Sequence, residues 1–133
     1  MKTRQLGNNG FTLVELLMVL ALVAILAALA GQQYYSYIEK AQKTLSINTM
    51  NNLRKGIEDY ASQYGTYPTT FDFNTCKDQD GNSIYPWEPC GSLKFRLYSL
   101  DSYVRTGSGF ILTAKAKDKA HTLITITEYS ITY

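Results

Sequence analysis

The stretch that decides the fold is Gly10-Phe11-Thr12-Leu13-Val14-Glu15-Leu16, which opens an apolar run ending at Ala30. The run from Phe11 to Ala30 reads FTLVELLMVLALVAILAALA, and Glu15 is its only charged residue. At ~1.5 Å rise per residue, a helix of this length spans the ~30 Å hydrocarbon core of a bilayer. The sequence therefore predicts a membrane-spanning helix with one acidic side chain near its start.

Glu15 is the residue of this run that needs a partner. A carboxylate in a membrane span costs roughly 2.5–3.5 kcal/mol on insertion scales, so it usually marks a functional contact. The nearest positive charge would be the α-amino group produced by cleavage between Gly10 and Phe11. Among packed apolar helices, a buried carboxylate and a neighbour's buried ammonium offset each other's desolvation. We therefore expect Glu15 to pair with such a group.

Residues 7–30 resemble the class III signal of type IV pilins and type II secretion pseudopilins. A short basic leader ends in Gly10, and Phe-Thr-Leu-Val-Glu and an apolar helix follow it. The resemblance implies that a prepilin peptidase removes residues 1–10 and methylates the new N-terminal residue, Phe11. It also implies that Glu15 guides the docking of an incoming subunit into a helical fibre.

An ordinary secretory signal is the competing interpretation of the same segment. Lys2 and Arg4 precede an apolar core, and Ala28-Leu29-Ala30 before Gly31 matches an A-x-A cleavage site. Three features argue against it. The residues before the apolar run are the polar, turn-like Gly-Asn-Asn-Gly, the run starts with an acid, and the helical pattern continues past residue 30.

Length and charge fit one small domain on an anchor. The chain has 133 residues and a formal net charge of +2. Without Lys2 and Arg4 its 13 basic residues become 11, equal to the 11 acidic residues. Positive charge in the leader favours an orientation that leaves residues beyond the anchor outside the cytoplasm. With the resemblance, this predicts an inner-membrane precursor with a periplasmic head and, after assembly, an extracellular pilus filament.

Cys76 and Cys90 are the two cysteines, and both lie in the part predicted to be exported. An oxidising compartment favours a disulfide between them, which would close a loop of about 15 residues and stabilise the fold by roughly 3 kcal/mol. A metal site is the weaker alternative, because the pair is too widely spaced for C-x-x-C and has no histidine nearby.

Helical periodicity continues after the anchor. Apolar residues recur in steps of three or four at Ile38, Ala41, Leu45, Met50, Leu53, Ile57, Tyr60 or Ala61, and Tyr64. This predicts that residues 34–64 are the amphipathic half of the helix whose first half, residues 11–33, spans the membrane. A phase slip near Ile47 and Asn48 is compatible with a bend. Gly65 is placed to cap the helix, and Pro68 prevents its continuation.

A loop and a sheet are predicted after the helix. Residues 65–92 are rich in Pro, Gly, Asp and Asn and form the αβ loop that the disulfide would hold. Strand patterns follow in residues 93–133: alternation from Leu93 to Tyr98 and from Phe110 to Lys117, then a Thr-, Ile- and Tyr-rich segment from 122 to 133. Turns are expected at 107–109 and 118–120. The fold class is α+β, with a long N-terminal helix packed on a small antiparallel sheet of three or four strands.

Two features differ from the common pilin plan. Many pilins carry a mid-anchor Gly and a Pro near the anchor's end, where this chain has Ala24 and Gln32. Ala in place of Gly stabilises a helix by roughly 1 kcal/mol and loss of a Pro by ~3 kcal/mol, so this anchor should stay helical. Such an anchor favours a minor pilin or pseudopilin over a major pilin. The second difference is that the cysteine pair lies between helix and sheet instead of near the C-terminus, which argues against a pseudopilin.

No enzymatic constellation is visible, and no cofactor is predicted. His121 is the only histidine and is expected to be a surface imidazole. Asp78, Asp80 and Asn82 alternate like the first ligands of a calcium loop, but Ser83 and Pro89 stand where an EF-hand needs Gly and Glu. An exposed turn is the simpler interpretation, so no metal site is predicted.

Lys115, Lys117 and Lys119 would share one face of a strand if that strand continued through all three. A solvated face that discourages edge pairing is the default interpretation. The alternative is a polyanion-binding face for DNA or a cell-surface polymer.

The leading functional hypothesis is a pilin-like structural subunit that polymerises through its N-terminal helix into a surface filament for adhesion, motility or DNA uptake. The alternatives are a type II secretion pseudopilin, forming a periplasmic pseudopilus, and a DNA-binding minor pilin. The expected partners are further copies of the chain, other pilins of the same machine, the prepilin peptidase and the inner membrane before assembly. DNA is a less favoured partner.

Overall fold

A computed structural model of the chain describes residues 10–85 and 90–133. The predicted leader up to residue 9, with Lys2 and Arg4, and the loop residues 86–89, with Pro89, lie outside the described residues. The chain divides into two units, one ending at Tyr37 and one from Ile38 to Tyr133. We call the second unit the head.

Helix α1 runs from Leu13 to Tyr64 without interruption, through Ala24, Gln32 and the phase slip near Asn48. It ends where the sequence predicts. Gly65 adopts a φ of +75°, the left-handed conformation that glycine reaches without a Cβ clash, and its N–H donates to the carbonyl of Ala61 at 2.8 Å.

The first unit exposes its apolar side chains. Its large hydrophobic residues from Phe11 to Leu29 are all exposed, and none packs in a core. Among the described residues, α1 is the one helix long and apolar enough to cross a membrane, a test that a signal sequence also passes. Length, composition and exposure together fit a segment whose apolar side chains are covered by lipid or by other helices.

The head contains a four-stranded antiparallel sheet in the order β1-β2-β3-β4. The strands are β1 (Leu97–Thr106), β2 (Gly109–Ala116), β3 (Leu123–Thr127) and β4 (Ile131–Thr132). Short turns connect consecutive strands, and the first of them, Gly107-Ser108, lies at a predicted turn. One sheet face is buried through alternate residues such as Leu112, Ala114, Ile124 and Ile126, so the predicted α+β fold is confirmed.

One strand prediction was wrong in detail. Leu93–Arg96 forms a single helical turn, α2, preceded by a 3-10 turn at Cys90–Ser92. Leu93 and Leu97 are both buried, four residues apart, whereas Phe95 is 76% exposed. In a strand, Phe95 would lie on the same face as both leucines. In a helical turn, positions i and i+4 share a side and position i+2 does not, which fits two buried leucines and an exposed Phe95. The segment 122–133 contains two strands, β3 and β4, which gives four strands, within the predicted three or four.

The face of α1 that packs in the head agrees with the prediction only in part: Met50, Leu53, Ile57 and Tyr60 are buried as predicted, whereas Tyr64 is 46% exposed. Its buried residues are Ser46, Thr49, Met50, Leu53, Gly56, Ile57 and Tyr60. Ile38, Ala41 and Leu45, expected to face the sheet, are exposed. The serine at the start of the buried face explains the difference. The Ser46 hydroxyl donates to the carbonyl of Arg96 at 2.7 Å and accepts from the N–H of Lys117 at 3.0 Å.

Ser46 therefore satisfies two backbone groups from separate parts of the head, one in α2 and one just after β2. Buried backbone polar groups require such partners, and a hydroxyl can both donate and accept. Because Ser46 is polar, apolar periodicity in the sequence does not identify it as part of the buried face.

Candidate assembly site and the structure of the head

Thr12 and Glu15 form a reciprocal cap at the start of α1. The Thr12 backbone N–H and hydroxyl both donate to Oε2 of Glu15, at 2.9 and 2.8 Å. In return, the Glu15 N–H donates to the Thr12 hydroxyl at 3.2 Å. This is a capping box, in which two backbone donors that a helix start leaves unpaired are satisfied by side chains.

The cap gives Glu15 a local role that the sequence analysis missed, although the T-x-x-E pattern of residues 12–15 signals it. Both hydrogen bonds that Glu15 accepts from Thr12 end on Oε2. The second carboxylate oxygen, Oε1, is therefore not used by the cap. A carboxylate accepts at several lone-pair positions, so one group can cap its own helix and pair with an ammonium from a neighbour.

Gly10 and Phe11 lie directly before this cap, outside α1. Phe11 is 77% exposed. A bond at this position is accessible and not held in helix, as a peptidase substrate requires. The predicted cleavage site is thus compatible with the local structure, and cleavage itself stays a prediction.

The αβ loop is held by the predicted disulfide. Cys76 and Cys90 are joined with a Cα–Cα distance of 5.5 Å across a sequence separation of 14. Cys76 is buried and lies in a region whose backbone pairs with itself, because Lys77 bridges both Asp72 and Ser83. Ile84, also buried, donates its N–H to the Cys76 carbonyl at 2.8 Å. The disulfide therefore closes a segment that contributes side chains to the core.

Asp78 is a structural anchor of this loop and not an exposed turn residue. Its Oδ1 accepts from the backbone N–H groups of Asp80 and Asn82, at 2.9 and 2.7 Å. Its Oδ2 accepts from the Asn82 side-chain amide at 2.9 Å and from the Tyr60 hydroxyl at 2.5 Å. Asp78 is only 8% exposed, and through Tyr60 it ties the loop to α1.

These hydrogen bonds argue against a calcium role for the alternating Asp78, Asp80 and Asn82. The carboxylate of Asp78 is already occupied by four internal donors. Within residues 10–85 and 90–133, no group of three or more His, Cys, Asp or Glu side chains stands close enough to hold a metal ion.

The same contacts shift two pKa values. Burial by itself would raise the pKa of Asp78, but hydrogen bonds from Tyr60, Asn82 and the loop backbone together hold it below its ordinary value. The hydrogen bond to Asp78, with burial second, raises the pKa of Tyr60 to about 12. Asp78 is therefore ionised at neutral pH, and Tyr60 is its neutral donor.

We expect Asp78→Asn to lower the free energy of unfolding at pH 7 by about 1–3 kcal/mol, since an amide oxygen is a weaker acceptor than a carboxylate. The pKa of Asp78 is lowered by folding, so its contribution is present above about pH 4 and is lost as pH falls through the folded-state value. Urea unfolding of the full chain in detergent, followed by near-UV circular dichroism, measures the difference.

The matched control for this prediction is Tyr60→Phe, which removes one donor and leaves the carboxylate. The difference in stability between wild type and Asp78→Asn should shrink as pH falls below about 4, because protonation of Asp78 removes the charge that the variant lacks. A difference that stayed constant from pH 7 to pH 2 would contradict the assigned role of the carboxylate.

The three predicted polyanion-binding lysines do not share a strand, because β2 ends at Ala116. Lys115 lies 3.6 Å from Oδ2 of Asp101 in an ion pair. Lys117 donates to the carbonyl of Phe95 at 2.9 Å, and Lys119 is exposed in the turn after the strand. Two of the three ammonium groups thus have partners within the head, which weakens the case for a DNA-binding face.

His121 is exposed, as predicted, in the turn before β3. Its ring packs against that of Tyr98 with centroids 3.8 Å apart. Asp118 organises the turn by accepting from the N–H of Thr122 at 2.9 Å and from its hydroxyl at 2.5 Å. This region has the contacts of a tight structural turn.

Comparison with known proteins identifies the N-terminal segment. The family model for the prokaryotic N-terminal methylation motif matches residues 6–31, which include Gly10, Phe11 and Glu15. No solved structure matches the chain.

Curated relatives match over less than half of the chain. A fimbrial protein, EcpC, of Eikenella corrodens is 36% identical over 61 residues, or 46% of this chain and 40% of the relative. A type IV major pilin protein, PilE1, of Neisseria gonorrhoeae is 37% identical over 46% of this chain and 37% of the relative. The type IV major fimbrial protein FimA of Dichelobacter nodosus is 43% identical over 38% of this chain and 33% of the relative.

The match thus spans two-fifths or less of the length of each of these three relatives. The matched motif, residues 6–31, includes the start of α1 and part of its exposed apolar half. By this motif and these relatives, the N-terminal segment of the chain is similar to that of type IV pilins.

Proposed function

We propose that the mature chain is a structural subunit that polymerises through the N-terminal half of α1 into a surface filament. The observation that carries the proposal is the exposed apolar half of α1, which has Glu15 as its only charge. Apolar surface of this extent needs a cover, first the lipid of the inner membrane and then the helices of other subunits. Relatives named fimbrial protein and type IV major pilin support this role.

Glu15 supplies the specificity of the proposed assembly. Apolar helices attract each other without a fixed register, whereas a carboxylate that must find an ammonium sets one relative position. Oε2 caps the subunit's own helix, and Oε1 accepts from the methylated amino group of Phe11 on a neighbouring subunit. The head then carries the surface properties of the filament and takes no part in catalysis.

The experiment that tests the first step is the mass of the mature protein. Cleavage by the peptidase predicts a chain that begins at Phe11 and carries one added methyl group. Gly10→Val should accumulate as a precursor about ten residues heavier, because Gly lets the chain leave the helix at the scissile bond without a side-chain clash and Val does not. Gly31→Val is the matched control and should be processed normally.

The location of the mature protein separates the proposal from its alternative. Recovery in filaments sheared from the cell surface supports a pilus subunit, whereas a product confined to the periplasm supports a pseudopilin. A mature chain beginning at Gly31 would instead establish an ordinary signal peptide and overturn the proposal.

A further inference from the structure

A cavity of about 340 Å³ lies beside the first half of β1, within the head. Four consecutive residues, Leu97–Leu100, line it. Neighbouring residues of a strand point to opposite faces of the sheet, so a cavity that touches four in succession lies along an edge of the strand. β1 is the end strand of the sheet, and β2 occupies its other edge. We call this space, at the edge of β1 that faces away from β2, the edge cavity.

The wall of the edge cavity is mostly apolar and includes Phe73, Leu93 and Leu97. Asn74 and Lys94 add polar groups to it, and Nζ of Lys94 donates to Oδ1 of Asn74 at 3.4 Å. An ammonium group has three donors and an amide has two, so both side chains keep donors for a ligand. Small-molecule sites typically have this composition and a volume of roughly 300–1,000 Å³.

Tyr98 adds an aromatic ring to the edge cavity, and a β-bulge sets its position. The pairing of β1 with β2 skips Tyr98, because Leu97 and Ser99 pair with adjacent residues of β2. A bulge of this kind redirects a side chain. The ring is 59% exposed and rests against the imidazole of His121, with centroids 3.8 Å apart. The contact with His121 holds the ring in place, and the exposed part of the ring is available to a ligand.

The charge around the edge cavity is positive. Residues 93–100, which form much of its lining, include Lys94 and Arg96 and no acidic residue. Asp72 and Asp101, which flank the lining segments in the sequence, are hydrogen-bonded or ion-paired to other groups of the head. Charge complementarity therefore favours an anionic ligand.

We propose that the edge cavity binds a sugar that carries both a carboxylate and an N-acetyl group. The ring of Tyr98 offers an apolar surface to the C–H face of the sugar, and its hydroxyl offers a hydrogen bond. Lys94 pairs with the carboxylate, and Asn74 bonds to the amide of the acetyl group. The acetyl methyl packs on the apolar wall at Leu93. Acidic sugars of this class on the surface of another cell give the head a binding role beyond that of building a filament.

An added peptide strand is a poorer occupant of this edge. Strand addition uses a regular row of backbone donors and acceptors. Bulges interrupt that row in β1 at Tyr98 and again at Asp101, where the pairing passes from Leu100 to Ser102. Bulges at sheet edges are one means by which proteins prevent strand addition. A compact ligand held by side chains is therefore favoured.

The test uses the full chain in deuterated detergent and the α-methyl glycoside of N-acetylneuraminic acid, a sugar with both groups. The methyl ester of the same glycoside is the matched control, because its carboxyl group carries no charge. We expect saturation-transfer NMR to show the acetyl and ring protons of the acid in contact with the protein. Calorimetric titration should give an affinity about tenfold lower for the ester, since it lacks a charge-assisted hydrogen bond. Equal affinities, or no binding of the acid, would overturn the proposal.

Variants of the chain locate the site. Tyr98→Ala should lower the affinity for the acid about tenfold, because it removes the ring, whereas Tyr98→Phe keeps the ring and should bind close to wild type. Lys94→Gln should abolish the difference between acid and ester. Tyr129→Ala and Lys119→Gln alter exposed residues outside the cavity lining and should bind like wild type. Unchanged binding by Tyr98→Ala, with the fold verified by circular dichroism, would contradict the assignment.

This binding does not depend on assembly. A chain that binds the acid but forms no filaments would defeat only the proposed function. Filaments from a chain that does not bind the acid would defeat only the inference about the edge cavity.

Discussion

Glu15→Gln should abolish most surface filaments while leaving the precursor inserted, cleaved and methylated. Gln can replace Glu in a capping box, because its amide oxygen still accepts from the Thr12 N–H and hydroxyl. In the proposed pairing, Gln cannot neutralise the ammonium of a neighbour's Phe11, which would then stay buried without a counter-charge at a cost of several kcal/mol. Electron microscopy and quantification of sheared filaments measure the loss.

Glu15→Ala and Thr12→Val complete this experiment. Glu15→Ala removes both the cap and the charge, and should be as defective as Glu15→Gln. Thr12→Val removes the hydroxyl that contacts the carboxylate but keeps the charge, so a smaller loss of filaments is expected. Normal filaments from Glu15→Gln would show that Glu15 acts only as a helix cap and would end its docking role.

Cys76→Ser should destabilise the head by about 2–4 kcal/mol, because the disulfide removes conformational freedom from an unfolded loop of about 15 residues. The native fold holds this loop through buried side chains, including Ile84 and Tyr85, whose burial depends on the closed segment. Urea unfolding of the full chain in detergent gives the magnitude. A loss of this size is large against the marginal stability of a small domain.

Cys90→Ser and the double variant are the controls. All three variants lose the same cross-link, so they should be destabilised by similar amounts, and reduction of wild type should match them. Thiol labelling of the unreduced wild-type protein should give no signal from Cys76 or Cys90. Quantitative labelling of both cysteines, or unchanged stability in the single variants, would contradict the role of the disulfide.

The comparisons match less than half of the chain, so the function of the head has to be argued from its own contacts. The contacts described in the head hold its parts together. Asp78 and Tyr60 connect the loop to α1, and Ser46 connects α1 to α2 and to the residue after β2. Two of the lysines predicted to bind a polyanion, Lys115 and Lys117, instead contact Asp101 and the carbonyl of Phe95 within the head. A structural subunit is consistent with these observations.

The sequence by itself determined the features that depend on local patterns. Charge and hydropathy placed the apolar run from Phe11 and its single acid, glycine geometry placed the end of α1 at Gly65, and compartment and spacing paired Cys76 with Cys90. Each follows from short-range chemistry: the length of an apolar helix, the left-handed conformation of glycine, and the reactivity of two thiols in one loop.

Only the tertiary structure decided where along α1 the packed face begins. Apolar periodicity correctly favoured Met50, Leu53 and Ile57, but it also favoured Ile38 and Leu45, which are exposed. The buried face begins at Ser46, whose hydroxyl bonds to Arg96 and Lys117 of the head. The same holds for Asp78, whose buried role depends on Tyr60, 18 residues earlier. Buried polar groups must find partners wherever the fold brings them, and long-range pairings of this kind leave no periodic signal in a sequence.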